Sequence, residues 1–340
     1  MISTSINRFT RSFVAASVFA LAACSSPNGN TGVTPVAMQP SSVSRIPSGT
    51  SPKAQLYISD SGTNEVEVFG WPKPKTGSAL SGSFSEPQGE CADQSGDVFI
   101  TNTGESNVLE YALGSAGSIA TIQDGGEYPV GCSFDTQNGN LAVSNIISTN
   151  DGPGSVSIYK DAGGTPKDIM VTGMSRVYFL QYDGLGDLFA IGEDSSSEPA
   201  LAEMKAGSNK FKVICPGLLG EGNDEFPGGI GWDGTYIVIG GFDTGVRGGV
   251  GVQRIKNCKP VGSPIPVGGD VFTIVGNRLV APDAGAAAVE IYSYPEGALL
   301  QTLTGFSEPI GAAVAQERSV ILAADPRQSL KGNRLGTPPN

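Results

Sequence analysis

The sequence predicts an all-β chain, a six-bladed β-propeller of four-stranded blades that closes by pairing strands from its two ends. Three observations carry that expectation. Charged residues make up only 16% of the 340, against 48 glycines and 23 prolines, the composition of a turn-rich β chain rather than a helical one. Short alternating strands and Asp/Gly turns recur roughly 40 to 50 residues apart, the spacing of propeller blades. Finally, Phe84–Gly89 (FSEPQG) returns near the other end as Phe306–Gly311 (FSEPIG), as the same corner of two blades five repeats apart.

The chain opens with an address. Arg8 and Arg11 stand without an acid in the first 12 residues, and an apolar run from Phe13 to Ala22 ends in Leu21-Ala22-Ala23-Cys24. This reads as a signal peptide over 1–23, too short for a membrane span of ~20 residues. The small residues before Cys24 resemble the bacterial lipobox, which implies cleavage before Cys24 and acylation of it; several acyl chains together make a lasting anchor. Ser25, where Asp would signal retention, resembles the pattern sent on to an outer membrane in bacteria with two membranes. Residues 24–53 continue as a Ser-, Pro- and Asn-rich tether, and the folded body is expected over 54–325, followed by a disordered tail over 326–340.

Within the body the repeat is legible. EPQGECADQSGDVFITNTG from Glu86 is followed by NVLEYALGSAGSIATI, then YPVGCSFDTQNGNLAVSN from Tyr128 by GSVSIYKDAGGTPKDIMV. Each unit opens with Pro-x-Gly and runs through an Asp-centred turn into a β-branched or aromatic strand that ends in Asn or Asp. A second alternating strand with Val and Tyr follows. Weaker copies run from Tyr178, Phe226, Val271 and Pro309. These motifs, with LYISDSGTNEVEVF from Leu56 to Phe69, resemble the NHL-type propeller repeat over about residues 55–325. The resemblance implies a fold and not an activity.

Inner strands are expected near residues 88, 130, 178, 229, 272 and 310, and third strands near 65, 107, 155, 200, 250 and 288. The second-strand type occurs seven times, the extra copy at Val320–Ala323. Six complete sets predict six blades, the last one joining the C-terminal inner strand to the strands from Leu56, so that no edge is left open. Seven blades is the alternative that the extra strand leaves standing.

Four cysteines follow the anchor. Cys91 lies four residues after Pro87 and Cys132 three after Pro129, so they have opposite parity on equivalent strands of adjacent blades and can face each other; two separate small core residues is the other reading. Cys215 and Cys258 pair on the same terms, in outer parts of adjacent blades. No Cys-x-x-Cys points to redox chemistry.

The chain has no histidine, which excludes Ser-His-Asp and Cys-His catalysis and His-ligated zinc. A net charge of -12 argues against nucleic acid. The second strands deliver Asp60, Asn102, Asn145, Asp194, Asp243 and Asp283 at recurrent positions, and a ring of oxygens could hold Ca²⁺. Gluconolactonase and senescence-marker propellers are similar in fold, and that resemblance implies a cation-dependent lactonase. The competing reading has each Asp or Asn bonding the backbone of its own turn. Peptide-amidating lyases also resemble this repeat but depend on histidine ligands. The acidic loop Glu221–Glu225 reads as a solvated turn, Gly248–Gly251 lacks a phosphate-loop context, and Trp71 and Trp232 read as packing residues.

The expected function is therefore a monomeric, lipid-anchored binding module of the bacterial envelope for a protein, peptide or glycan, with no catalytic residue and no cofactor. A divalent-cation-dependent hydrolase of lactones or esters is the alternative.

Overall fold

The structure, a computed structural model, describes residues 54–125, 127–148, 151–218, 228–243, 250–269 and 271–317. The leader, Cys24, the tether, Glu221–Glu225, Gly248 and Gly249, the extra strand Val320–Ala323 and the 326–340 tail lie outside them. Among the described residues there are six four-stranded antiparallel sheets. The chain is a six-bladed propeller, and the seven-blade alternative gives way to it.

The first blade is the joint one. Its inner strand is β24 (Pro309–Gln316), followed outward by β1 (Ala54–Asp60), β2 (Glu65–Gly70) and the short β3 (Ser78–Ala79). The β24–β1 register runs from Ala54 opposite Gln316 to Ser59 opposite Gly311 and, after a bulge, to Asp60 opposite Pro309, so the seven residues of β1 complete a blade begun by the C-terminal strand. The second blade runs outward from β4 (Pro87–Ala92) through β5 (Val98–Asn102) and β6 (Asn107–Tyr111) to β7 (Ala120–Gln123), and the third from β8 (Pro129–Phe134) through β9 (Leu141–Asn145) and β10 (Ser155–Tyr159) to β11 (Lys167–Met170). The fourth comprises β12 (Arg176–Tyr182), β13 (Leu188–Glu193), β14 (Pro199–Met204) and β15 (Lys212–Pro216). β16 (Ile230–Trp232), β17 (Ile237–Asp243), β18 (Val250–Lys256) and β19 (Lys259–Pro266) form the fifth. The sixth is β20 (Thr273–Val275), β21 (Arg278–Asp283), β22 (Ala288–Ser293) and β23 (Leu299–Thr304).

Why these strands stack rather than lie open follows from their burial. All five residues of both β5 and β9 are buried, because each blade has a neighbour on both faces and successive side chains point to opposite ones. Tyr57 packs with Val98, Ile100, Leu109 and Tyr111 of the second blade; Leu56 and Ile58 point the other way, onto Val280, Val289 and Ile291 of the sixth. Four further apolar clusters fill the remaining seams. Full burial of one such side chain contributes ~1.5–3 kcal/mol, and the Leu56/Ile58 seam is the one that only the closed ring can form.

The Pro-x-Gly glycines have a steric reason. A Cβ on Gly311 would lie 2.0 Å from the Gln88 carbonyl oxygen, one on Gly89 would lie 2.6 Å from that of Val130, and one on Gly131 would lie 3.3 Å from that of Tyr178. The inner strands converge on the axis, and glycine is what lets neighbouring backbones pass.

Candidate functional site

The six inner strands enclose a channel of about 280 Å³. Its wall includes Cys91 and Cys132, Glu90, Gln181, Trp232, Phe272 and Ala313. Cys91 and Cys132 form a disulfide between the second and third blades, with Cα atoms 5.6 Å apart; Cys215 and Cys258 form another between the fourth and fifth, at 5.4 Å. Both pairs are those the register permits, and the reading of separate core cysteines falls. Trp71 packs on the cluster around Leu56 and lies under the Arg278 guanidinium, 5.6 Å from the ring centre, while Trp232 packs on the fourth–fifth seam and borders the channel.

The channel's ionisable group is Glu90, which the sequence did not single out. Its Oε1 accepts from the Ser59 hydroxyl at 2.6 Å, and its Oε2 is buried with no partner, although the residue as a whole keeps some exposed surface. Burial pushes its carboxyl up to about 8 from an ordinary 4.5, against the lowering pull of the Ser59 hydroxyl and the Ala313 backbone.

The recurrent Asp and Asn residues stand at the second-strand ends, on six different blades. Asp60 Oδ1 accepts from Gly62 N at 3.1 Å and Glu308 N at 2.8 Å, and its Oδ2 accepts from Ser307 N at 2.7 Å. Asn102 Oδ1 accepts from Ser85 N at 2.7 Å. These bonds explain the doubled FSEP: in both copies the serine amide is captured by the acid or amide that ends the second strand, and the glycine after that strand, Gly62 or Gly104, leaves room for the serine hydroxyl. Asp194 and Asp283 serve their own turns through Ser196 N, Glu198 N and Ala286 N. For Asp243 the backbone alone is described, paired with Val250. By register the fourth-blade equivalent is Glu193, opposite Arg176 as Asp60 is opposite Pro309, and Asp194 falls one residue beyond.

This use of donors and acceptors does not suit a cation held by the whole ring, which would have to displace the loop amides from Asp60 and Asn102. Among the described residues no three His, Cys, Asp or Glu side chains gather as a metal-holding group. At the opposite end of the blades Asp93, Asp135, Asp183 and Asp233 each accept from the amide two residues on, at 2.8–2.9 Å, so the Asp-centred turns are structural. A second cleft of about 320 Å³, between the fifth and sixth blades, contains Arg254, whose Nε is spent on Asp233 at 2.7 Å and on the Tyr294 hydroxyl at 3.0 Å.

Asn145 differs from its counterparts. It is fully buried, its Nδ2 donates to Glu127 Oε2 at 2.6 Å and to the Ser155 and Ser157 hydroxyls at 3.1 and 3.0 Å, and its Oδ1 has no partner. Ser155 also donates to Glu127 Oε2, Ser157 to Asp168 Oδ1 at 2.9 Å, and Tyr159 to Asp124 Oδ1. Asp124, nearly fully buried, has its Oδ2 unpartnered. Burial pushes its carboxyl up to about 7, opposed by the Tyr159 and Ser157 hydroxyls and reinforced by the charges of Glu127 and Asp168. Glu127 is raised likewise, first by burial. The sequence offered Asn145 as an oxygen donor but gave no sign of Asp124 or Glu127, which lie in the plain-looking loop DGGEYP.

No protein-family model matches the chain, and no curated protein matches it. Solved structures do. The propeller in the crystal structure of a nidogen/laminin complex superposes with a TM-score of 0.62 at 14% identity, covering 77% of this chain and 98% of that one. TolB from Acinetobacter baumannii superposes with a TM-score of 0.58 at 14% identity, over 78% of this chain and 67% of that one. At such identities the likeness is one of fold, and it places this chain among the β-propellers.

Proposed function

We propose that this chain is a propeller that binds a protein partner at the bacterial envelope, held there by lipid on Cys24, and performs no chemistry of its own. The observation that carries this reading is the engagement of Asp60 and Asn102 with the corner loops. Groups that a hydrolase would aim into the channel instead stiffen the loops, so that the ring offers a fixed surface; partners gain affinity from such preorganisation because little loop ordering is left to be done on binding. The nidogen neighbour, a propeller from a complex with another protein, supports the same use of the fold. A peptide or a glycan is the other occupant of the class.

The test uses the full-length lipidated chain in its own envelope, with a photo-crosslinking residue in place of Tyr128 on the corner-loop face or Leu185 on the opposite face, 39% and 77% exposed respectively. One discrete protein adduct, from one face only, is the expected result. No protein adduct from either face, with saturable retention on envelope glycan, would replace the protein by a glycan. Lactone or ester turnover by the purified chain, lost on chelation and in Asp60→Asn, would overturn the reading in favour of the hydrolase.

The anchor has its own check. Cys24→Ala is expected to move the protein from the membrane fraction to the soluble one, since the acyl chains supply the affinity at ~0.8 kcal/mol per buried methylene. A variant still held in the membrane fraction would rule out lipid as the tether.

A further inference from the structure

We propose that Asp124, Glu127, Asn145 and Ser157 hold a Ca²⁺ ion at the seam between the second and third blades. The starting point is what the corner lacks. At the equivalent corner Asn102 Oδ1 takes the amide of Ser85; here the residue in that place is Glu127, whose amide turns to the Asp124 carbonyl at 3.1 Å, and Asn145 Oδ1 is left accepting nothing. Asp124 Oδ2 is a second buried acceptor without a donor. Leaving such an atom unmade costs ~1–3 kcal/mol, more for a charged group.

The charge is equally one-sided. Asp124, Glu127 and Asp168 act on one another as like charges, and the ion pairs among the described residues, Lys205 with Asp187 and Glu203 and Arg254 with Asp233, lie elsewhere. One divalent cation would neutralise the two buried carboxylates and satisfy both orphaned oxygens. The donors are carboxylate, amide and hydroxyl oxygens with no sulfur or imidazole, the set a hard cation takes, and their mixture of short and long side chains suits the flexible coordination of Ca²⁺ better than the strict octahedron of Mg²⁺. The site is not the ring of second-strand ends: only Asn145 is common to both, and two of its ligands come from the loop between blades. Bound there, the ion would bridge Asp124 and Glu127 to Asn145 and Ser157 of the third blade, next to Tyr128, whose backbone already pairs with Ile146 and Ile147.

The experiment is thermal melting of the full-length protein, purified in detergent, stripped with a chelator and titrated with Ca²⁺ at pH 8. A rise in Tm of about 5 °C is expected at a Ca²⁺ concentration a hundred times Kd, with one ion bound per chain in equilibrium dialysis. Asp124→Asn and Glu127→Gln should each abolish the rise while melting, without metal, at or above the stripped wild type, because each removes like charge from the cluster; a failure to fold is thereby distinguished from a loss of binding. Asp187→Asn, which breaks a surface pair elsewhere, should keep the rise. No response up to about 10 mM, beyond the weak end of extracellular calcium sites, would overturn the proposal. So would a rise that survives in both cluster variants, or stabilisation by acid with no response to Ca²⁺, which would make a proton the occupant.

Discussion

Glu90→Gln is expected to make the protein more stable at pH 8.5 and to leave it nearly unchanged at pH 5. The folded carboxyl titrates near 8, above the ordinary 4.5, so between those values the folded chain binds more protons than the unfolded one. Stability from this group is complete below the ordinary carboxylate range and is lost as the pH rises through 8. A shift of that size corresponds to an order of 3–5 kcal/mol across the window. Glutamine keeps an acceptor for the Ser59 hydroxyl and carries no charge at any pH. Denaturant midpoints at pH 5 and 8.5 for both proteins measure the effect. The wild type should weaken across the interval and the variant should weaken much less, with the remaining slope owed to the other carboxyls that burial raises, Asp124 and Glu127 among them. Equal slopes would mean that Glu90 is charged and solvated in the channel.

Gly311→Ala is expected to cost about 4 kcal/mol or to prevent folding. A Cβ there would stand 2.0 Å from a backbone oxygen, Gln88 O, and 3.3 Å from the Ser59 Cβ. Backbone cannot rotate aside as a side chain tip can, so the joint blade and the second blade would have to part at the axis, an overpacking cost of the largest kind. Gly70→Ala is the control, because nothing lies within 4 Å of its Cβ, and its denaturant midpoint should stay close to that of the wild type. If both variants unfold at the same denaturant concentration, the inner strands do not crowd at the axis as described.

Much of the fold was legible because the repeat is written in local chemistry. Pro-x-Gly, the Asp-centred turn and the strand ending in Asp or Asn each act within a few residues, so a period of about 44 could be read along the chain and the joint blade inferred from the strands left over. The Cys91–Cys132 pair followed too, since parity on equivalent strands decides which side chains share a seam, whereas Cys215 and Cys258 were placed together only as outer residues of adjacent blades. The second-strand acids were legible in part: their bonds to their own turns are local, whereas the capture of Ser307 by Asp60 spans 247 residues.

The sequence by itself determined that this chain is all-β and repeats as four-stranded units, because periodicity and turn residues are properties of neighbours along the backbone. Only the tertiary structure decided what Glu90, Asp124 and Glu127 are. Each is an unremarkable acid in sequence, one in a strand and two in a glycine-containing turn. Each becomes distinctive once the packing of one blade on the next has buried it and set it against another blade. Desolvation and like-charge contact depend on what arrives from across a seam, and no pattern along one strand encodes that.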